Sequence, residues 1–323
     1  MKTWLKVVWI AIGVALALGI ALTTTGWALG ARGGVSLDIN GLHYGNLSNE
    51  SMQISNTDSA SFSEVVVRLG SADVEFVRSD NFGYKLNYAG RTPLVEVRNG
   101  KLIVEEELGW SIGIMNLDFW HGFMPSTKLQ ILLPKNCKLD VVDITVASGD
   151  TLIDIGDITI GRLSTNMASG DLRMNTVKLD DFTARAASGN IKLNNVIAKN
   201  ANIDVISGEL NGNSCEFTSL IVNVVSGSAN INCDILHALE IQMISGDCML
   251  TLLRPASNYD MTFSRISGDI RINGEKVNDR SFLSSTSTRS DSSTGRISID
   301  TVSGSVNLNF GSEKATESAT ENK

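Results

Sequence analysis

The stretch SGNIKLNNVIAKNANIDVISGELNGNSCEFTSLIVNVVSG, residues 188–227, decides the fold. It holds three Ser-Gly dipeptides spaced 19 residues apart, at Ser188-Gly189, Ser207-Gly208 and Ser226-Gly227. The beat extends in both directions: Ser148-Gly149 and Ser169-Gly170 precede it, and Ser245-Gly246, Ser267-Gly268 and Ser303-Gly304 follow. Successive steps are 21, 19, 19, 19, 19, 22 and 36 residues. A period of this size marks a solenoid, in which each repeat is one coil stacked on the last and buries its apolar face only against its neighbours.

With the Ser of each pair as position zero, position +3 holds Leu172, Ile191, Leu210, Ala229, Cys248, Ile270 and Val306. Position +5 holds Met174, Leu193, Gly212, Ile231, Leu250, Ile272 and Leu308, while +4 is largely polar. The residues four and two before Ser are apolar again, as in Ile203 and Val205 or Val222 and Val224. This alternation predicts a strand on each side of the dipeptide with one face buried. A further short strand at +8 and +10 (Val177/Leu179, Val196/Ala198, Cys215/Phe217) gives about three strands per coil. Gly reaches positive φ without a Cβ clash, so the dipeptide reads as a corner, with the Ser hydroxyl expected to bond a nearby backbone group.

Upstream, residues 61–105 alternate in the same way, and Leu69–Glu75 (LGSADVE) resembles a degenerate copy of the repeat corner. Asn99-Gly100 is a hairpin signal and LQILLP (129–134) a further strand. Between them, residues 108–125 (LGWSIGIMNLDFWHGFMP) concentrate Trp110, Phe119, Trp120 and Phe123. These four are candidates for membrane or partner contact; the alternative is an insertion folded over the end of the solenoid to close its core.

The amino terminus carries Lys2 and Lys6 ahead of an apolar run that continues through residues 7–29. About 20 residues cross the hydrocarbon core, so this segment reads as a single transmembrane helix with the amino terminus cytoplasmic. A cleaved signal peptide ending near Ala28-Leu29-Gly30 is the competing reading; both export the chain. The expected organisation is therefore a cytoplasmic terminus 1–6, an anchor or signal segment 7–29, a Gly/Asn/Ser-rich linker 31–60, one all-β parallel β-helix of right-handed hand over 61–310, and a disordered polar tail 311–323.

Composition narrows the function classes. A formal net charge of −8 gives no basic stripe for phosphates, so no nucleic-acid partner is expected. With 3 His, 4 Cys and neither CxxC nor HExxH spacing, neither a zinc site nor a cofactor is expected. The four cysteines permit disulfides outside the cytoplasm, yet Cys215 and Cys248 fall at core positions of the repeat. Position +2 reads Asp150, Asp171, Asn190, Glu209, Ser228, Asp247, Asp269 and Ser305. Such an acidic column suggests calcium, but it is interrupted, and Arg173 and Arg271 lie two residues from Asp171 and Asp269 to offset their charge. No triad spacing is present, and His43, His121 and His237 lie in unrelated contexts, so no enzymatic activity is expected; a carbohydrate-active β-helix is the enzymatic alternative.

An amino-terminal anchor, the strand LGSADVEF (69–76), the segment LQILLPKNCKLDVVDITVASGDTLI (129–153) and the Ser-Gly-Asp repeats together resemble the bacterial putative-adhesin β-strand-repeat family of unknown function, which includes LiaG-like envelope proteins. The resemblance spans roughly residues 61–310 and implies a β-solenoid outside a bacterial membrane with a role in the envelope or its regulation; the outward strand faces and loops are expected to bind an envelope protein or cell-wall polymer, with an accessory role in envelope-stress signalling as the alternative. It implies no catalytic residues. The aromatic insertion at 108–125 and the Ser/Thr-rich loop at 282–295 depart from the pattern.

Overall fold

A computed structural model of the chain describes residues 34–38, 41–45, 52–88, 92–106, 112–113, 127–156, 158–277, 286–288 and 295–311. The chain divides into two units, residues 1–51 with 108–125, and residues 52–107 with 126–323. Strands β1 (Gly34–Asp38), β2 (Gly41–Gly45) and β9 (Ile112–Gly113) belong to the first. β1 pairs antiparallel with both β2 and β9, setting Leu37 opposite Ile112. The segment read as a linker thus forms strands, and the insertion supplies one of their partners.

The second unit opens with β3 (Met52–Asn56), β4 (Glu64–Ser71), β5 (Asp73–Arg78), β6 (Gly83–Tyr88), β7 (Leu94–Arg98) and β8 (Lys101–Glu105). The coils proper follow: β10 (Lys128–Leu133), β11 (Lys138–Ser148), β12 (Thr151–Ile153), β13 (Ile158–Ser169), β14 (Leu172–Asn175), β15 (Val177–Ser188) and β16 (Ile191–Asn194). They run on into β17 (Ile197–Leu252), whose 56 residues pass through several corners. The end comprises β18 (Tyr259–Arg265), β19 (Asp269–Ile272), β20 (Glu275–Lys276), β21 (Thr286–Thr288) and β22 (Gly295–Phe310).

Pairing between successive coils is parallel and in the register the repeat dictates. Ser148 lies beside Ser169, Ser169 beside Ser188, and Ser188 beside Ser207. The degenerate copy proves to be a true rung, since Ser71 pairs with Ser148. Inward positions form one continuous core along the axis: Leu172, Ile191, Leu210, Cys248 and Val306 at +3 are all completely buried. Each of these side chains packs on its equivalent one rung away, about 4.8 Å distant.

Stacking does not follow chain order throughout. β22 lies between β17 and the β18–β19 coil, with Ser303 beside Ser245 on one side and Asp269 beside Ser305 on the other. At the opposite end β4 lies between β11 and β8, although β8 follows β4 in sequence. Each end of the solenoid therefore has its last two rungs in reversed order. Antiparallel strands then close both ends: β7 covers β8 and β3 covers β6, while β21 and β20 cover β18 and β19. Solenoids need such caps because a bare terminal rung presents unpaired backbone to other chains.

Among the described residues no helix is long and apolar enough to cross a membrane. The expected anchor at 7–29, the four aromatic candidates Trp110, Phe119, Trp120 and Phe123, and the tail beyond 311 lie outside the described residues.

Candidate functional site

The Ser-Gly column forms a continuous corner along the solenoid. All eight of its glycines have positive φ, from 99° at Gly268 to 149° at Gly227. A Cβ on Gly189 would stand 1.9 Å from the carbonyl oxygen of Gly170, and one on Gly208 would stand 1.9 Å from that of Gly189. The glycine therefore provides both the bend and the clearance for the next rung. The contacts run 72–149–170–189–208–227–246–304–268, giving the spatial order of the rungs.

The serine works differently from the sequence expectation. Its side chain is exposed at every corner, and among the described residues no hydrogen bond ties a corner hydroxyl to backbone. The corner uses the serine carbonyl instead, which accepts from the glycine N–H of the adjacent rung: Gly149 to Ser169, Gly170 to Ser188 and Gly189 to Ser207, each at 3.2 Å.

Position +2 has a structural purpose that no sequence motif announced. The Asp73 carboxylate accepts the backbone N–H of Asp150 at 3.0 Å, and Asp150 accepts that of Asp171 at 2.9 Å. Asp171 accepts the N–H of Asn190 at 3.0 Å, and Asn190 that of Glu209 at 3.1 Å. Each short side chain satisfies a donor that the bend removes from the regular ladder. Arg173 ties two steps together, with Nη2 2.8 Å from Asp171 and Nη1 3.1 Å from Asp150. At Asp171 burial raises the carboxyl pKa, but the Asn190 hydrogen bonds and the Arg173 and Lys192 cations outweigh it and hold the group below its ordinary value. Carboxylates engaged with N–H donors and guanidinium are poorly disposed to converge on a calcium ion, and among the described residues no cluster of His, Cys, Asp or Glu is placed to hold a metal.

Other outward columns are spent in the same way. Asn194 donates to Asn175 at 2.9 Å, Asn200 to Asp181 at 2.9 Å, and Asn223 to Asp204 at 2.7 Å. Lys199 bridges to Asp180 at 2.7 Å and Arg254 to Asp234 at 2.6 Å. A second corner, seven or eight residues after each Ser, places Gly156, Thr176, Asn195 and Ser214 at φ of 52–54°. Sequence reasoning missed it because four different residue types occupy it.

All four cysteines are free and buried. Burial pushes the Cys248 thiol up to about 12 and raises Cys233 further, with the neighbouring Cys215 adding to the effect. They are core side chains with no thiolate character near neutral pH.

One outward column is apolar. Immediately before the corner serine stand Ala147, Ala168 and Ala187, then Ile206, Val225, Ile244, Val302 and Ile266 in spatial order. The strand ladder skips this residue, pairing Met243 with Thr301 and Ser245 with Ser303 but not Ile244 with Val302, so its side chain points outward. Ile206, Ile244 and Ile266 are 53–55% exposed, and Val225 and Val302 42% and 44%. The signal was in the sequence, one residue ahead of each Ser-Gly.

Against this geometry, a family model described as Toastrack DUF4097 matches residues 62–309. The chain belongs to the Toastrack family. The match begins just before β4 and ends within β22, so the Toastrack domain contains both inverted ends. Among curated proteins none matches the chain. Similar solved structures include a putative adhesin from Bacteroides fragilis NCTC 9343, 12% identical with a TM-score of 0.49, covering 81% of this chain and 98% of that one. Another is a putative adhesin from Parabacteroides merdae ATCC 43184, 10% identical with a TM-score of 0.43, covering 81% and 97%. A putative adhesin from Parabacteroides distasonis ATCC 8503 is 12% identical with a TM-score of 0.42, covering 81% and 98%.

Proposed function

We propose that this Toastrack protein is a non-enzymatic, membrane-anchored scaffold of the bacterial cell envelope, exposed outside the cytoplasmic membrane. Its outer faces and loops bind an envelope protein or a cell-wall polymer. The observation that carries this reading is the use made of the outward polar side chains. From Asp73 through Glu209 the +2 column is a ladder of side-chain to backbone bonds. The Asn175–Asn194 and Asp204–Asn223 pairs tie neighbouring rungs likewise. A surface whose polar groups hold one another at a fixed repeat is rigid and preorganised, which suits display and binding. The apolar run at 7–29 supplies the attachment to the lipid bilayer in this reading.

The test is photocrosslinking of the full-length chain in its native membrane, with photoreactive residues at outward positions of the central coils such as Lys192 and Asn211. Recurrent capture of one envelope protein or of wall polymer supports the reading. Fractionation of the unprocessed chain with the cytosol, or capture of only abundant neighbours in proportion to their abundance, would overturn it.

A further inference from the structure

Ile206, Val225, Ile244, Val302 and Ile266 occupy the same corner position on five consecutive rungs and form an exposed aliphatic ridge about 19 Å long at the strand repeat. The fold does not require these side chains. Ala147, Ala168 and Ala187 fill the same position on the preceding three rungs, under the same backbone pairing. A large aliphatic residue half exposed at every step therefore serves something beyond the corner itself.

Read along the surface, the ridge is Ile-Val-Ile-Val-Ile. In chain order it would be Ile-Val-Ile-Ile-Val; the symmetric order exists because β22 is inserted between β17 and β18. A two-fold axis through the middle of the ridge sets each position against its mirror position on the mate, an isologous contact, and because the ridge reads the same in both directions every side chain then meets one of its own kind. A second copy also brings the same rung spacing, so every side chain of one ridge finds a counterpart on the other without slippage.

We propose that the ridge is a self-association surface on which two copies of this chain pack antiparallel about a two-fold axis at Ile244. Ile206 then lies against the mate's Ile266, Val225 against its Val302, and Ile244 against itself. The outward column two residues earlier on the same strands reads Asp204, Asn223, Gln242, Asp300 and Ser264 in spatial order. The same axis sets Asp204 opposite Ser264, Asn223 opposite Asp300, and Gln242 opposite itself. No two carboxylates of that column face each other, so that column adds no like-charge repulsion across the interface. The five residues, each 42–55% exposed, form a patch well short of the ~800 Å² that a standard stable interface buries per partner. The dimer is therefore a weak one, formed where the chain is concentrated.

Single cysteines introduced into the full-length chain, oxidised with copper phenanthroline in the cells that express it, test both the occupant and its orientation. The native thiols are buried and serve as the silent background. Ile244→Cys is expected to give a disulfide-linked dimer, and Ile206→Cys or Ile266→Cys alone at least tenfold less. Co-expression of Ile206→Cys with Ile266→Cys restores the dimer. In the Ile244→Cys background, adding Val225→Asp and Val302→Asp abolishes the crosslink while leaving the melting midpoint unchanged. Absence of dimer from Ile244→Cys, self-linking of Ile206→Cys as strong as that of Ile244→Cys, or a crosslink that survives the two aspartates would each overturn the proposal.

Discussion

A methyl group is the unit in which the corner can be probed. Gly189→Ala places a Cβ 1.9 Å from a backbone oxygen that has no room to retreat, so a loss of about 3 kcal/mol or more is expected in denaturant melts. Gly100→Ala is the contrasting case: φ is 75° but nothing lies within 4 Å of the added carbon, and only the left-handed backbone cost of about 1 kcal/mol remains. At the +2 ladder, Asp171→Asn keeps an oxygen for the Asn190 N–H, as Asn190 itself does for Glu209. Asp171→Ala orphans that donor and should cost about 1–3 kcal/mol. The carboxyls of Asp171 and Glu75 are both held below their ordinary range, Glu75 by its hydrogen bonds to Lys128 and Gln130. A depressed folded-state pKa contributes stability above the unfolded value and loses it as pH falls through the folded one. Melting midpoints should therefore be flat from pH 8 to 5 and decline below about pH 4, where unfolded-state carboxyls protonate. Midpoints with calcium and with chelator should coincide, since the acidic column is already engaged.

Coils are the elements that can be removed or added. Deleting residues 188–206 takes out one 19-residue coil and leaves Ser169 in register with Ser207, so circular dichroism and limited proteolysis should report a folded β protein. Inserting three residues within that coil breaks the register of every later contact and should be the worse lesion. This much was legible in the sequence, because the corner demands Gly, the core demands alternation, and both leave marks at fixed spacing. Even the rung at Ser71 showed itself through LGSADVE. The order of the end rungs left no such mark: the step of 36 residues before Ser303 says that something intervenes, not that the later strand is seated beneath the earlier one. The corner serine misled for a different reason. Its hydroxyl is the conspicuous group, whereas the structure uses its carbonyl.

The unit of residues 52–107 and 126–323 is a stack with one core, so access to any of its buried groups reports on opening of the stack. Native protein should resist alkylation at Cys215, Cys233 and Cys248 for as long as the coils remain closed, and react at all of them together in denaturant. Stepwise labelling, with Cys248 reacting first, would show that the carboxyl-terminal coils open independently of the rest. The outward surface was the least legible at this scale. Columns form only once the register is known, and the aliphatic ridge gains its symmetric order only from the inverted end.

That inverted end has a consequence in time. A chain delivered amino terminus first can lay each central coil on its predecessor as it emerges. Residues 259–272, however, emerge before the strand on which they must rest. They have no seat until 295–310 has left the machinery that makes or exports the chain. The last stretch to appear thus acts as a keystone: the solenoid cannot be closed on an unfinished polypeptide, and a chain cut short before residue 295 announces itself by an end that never shuts.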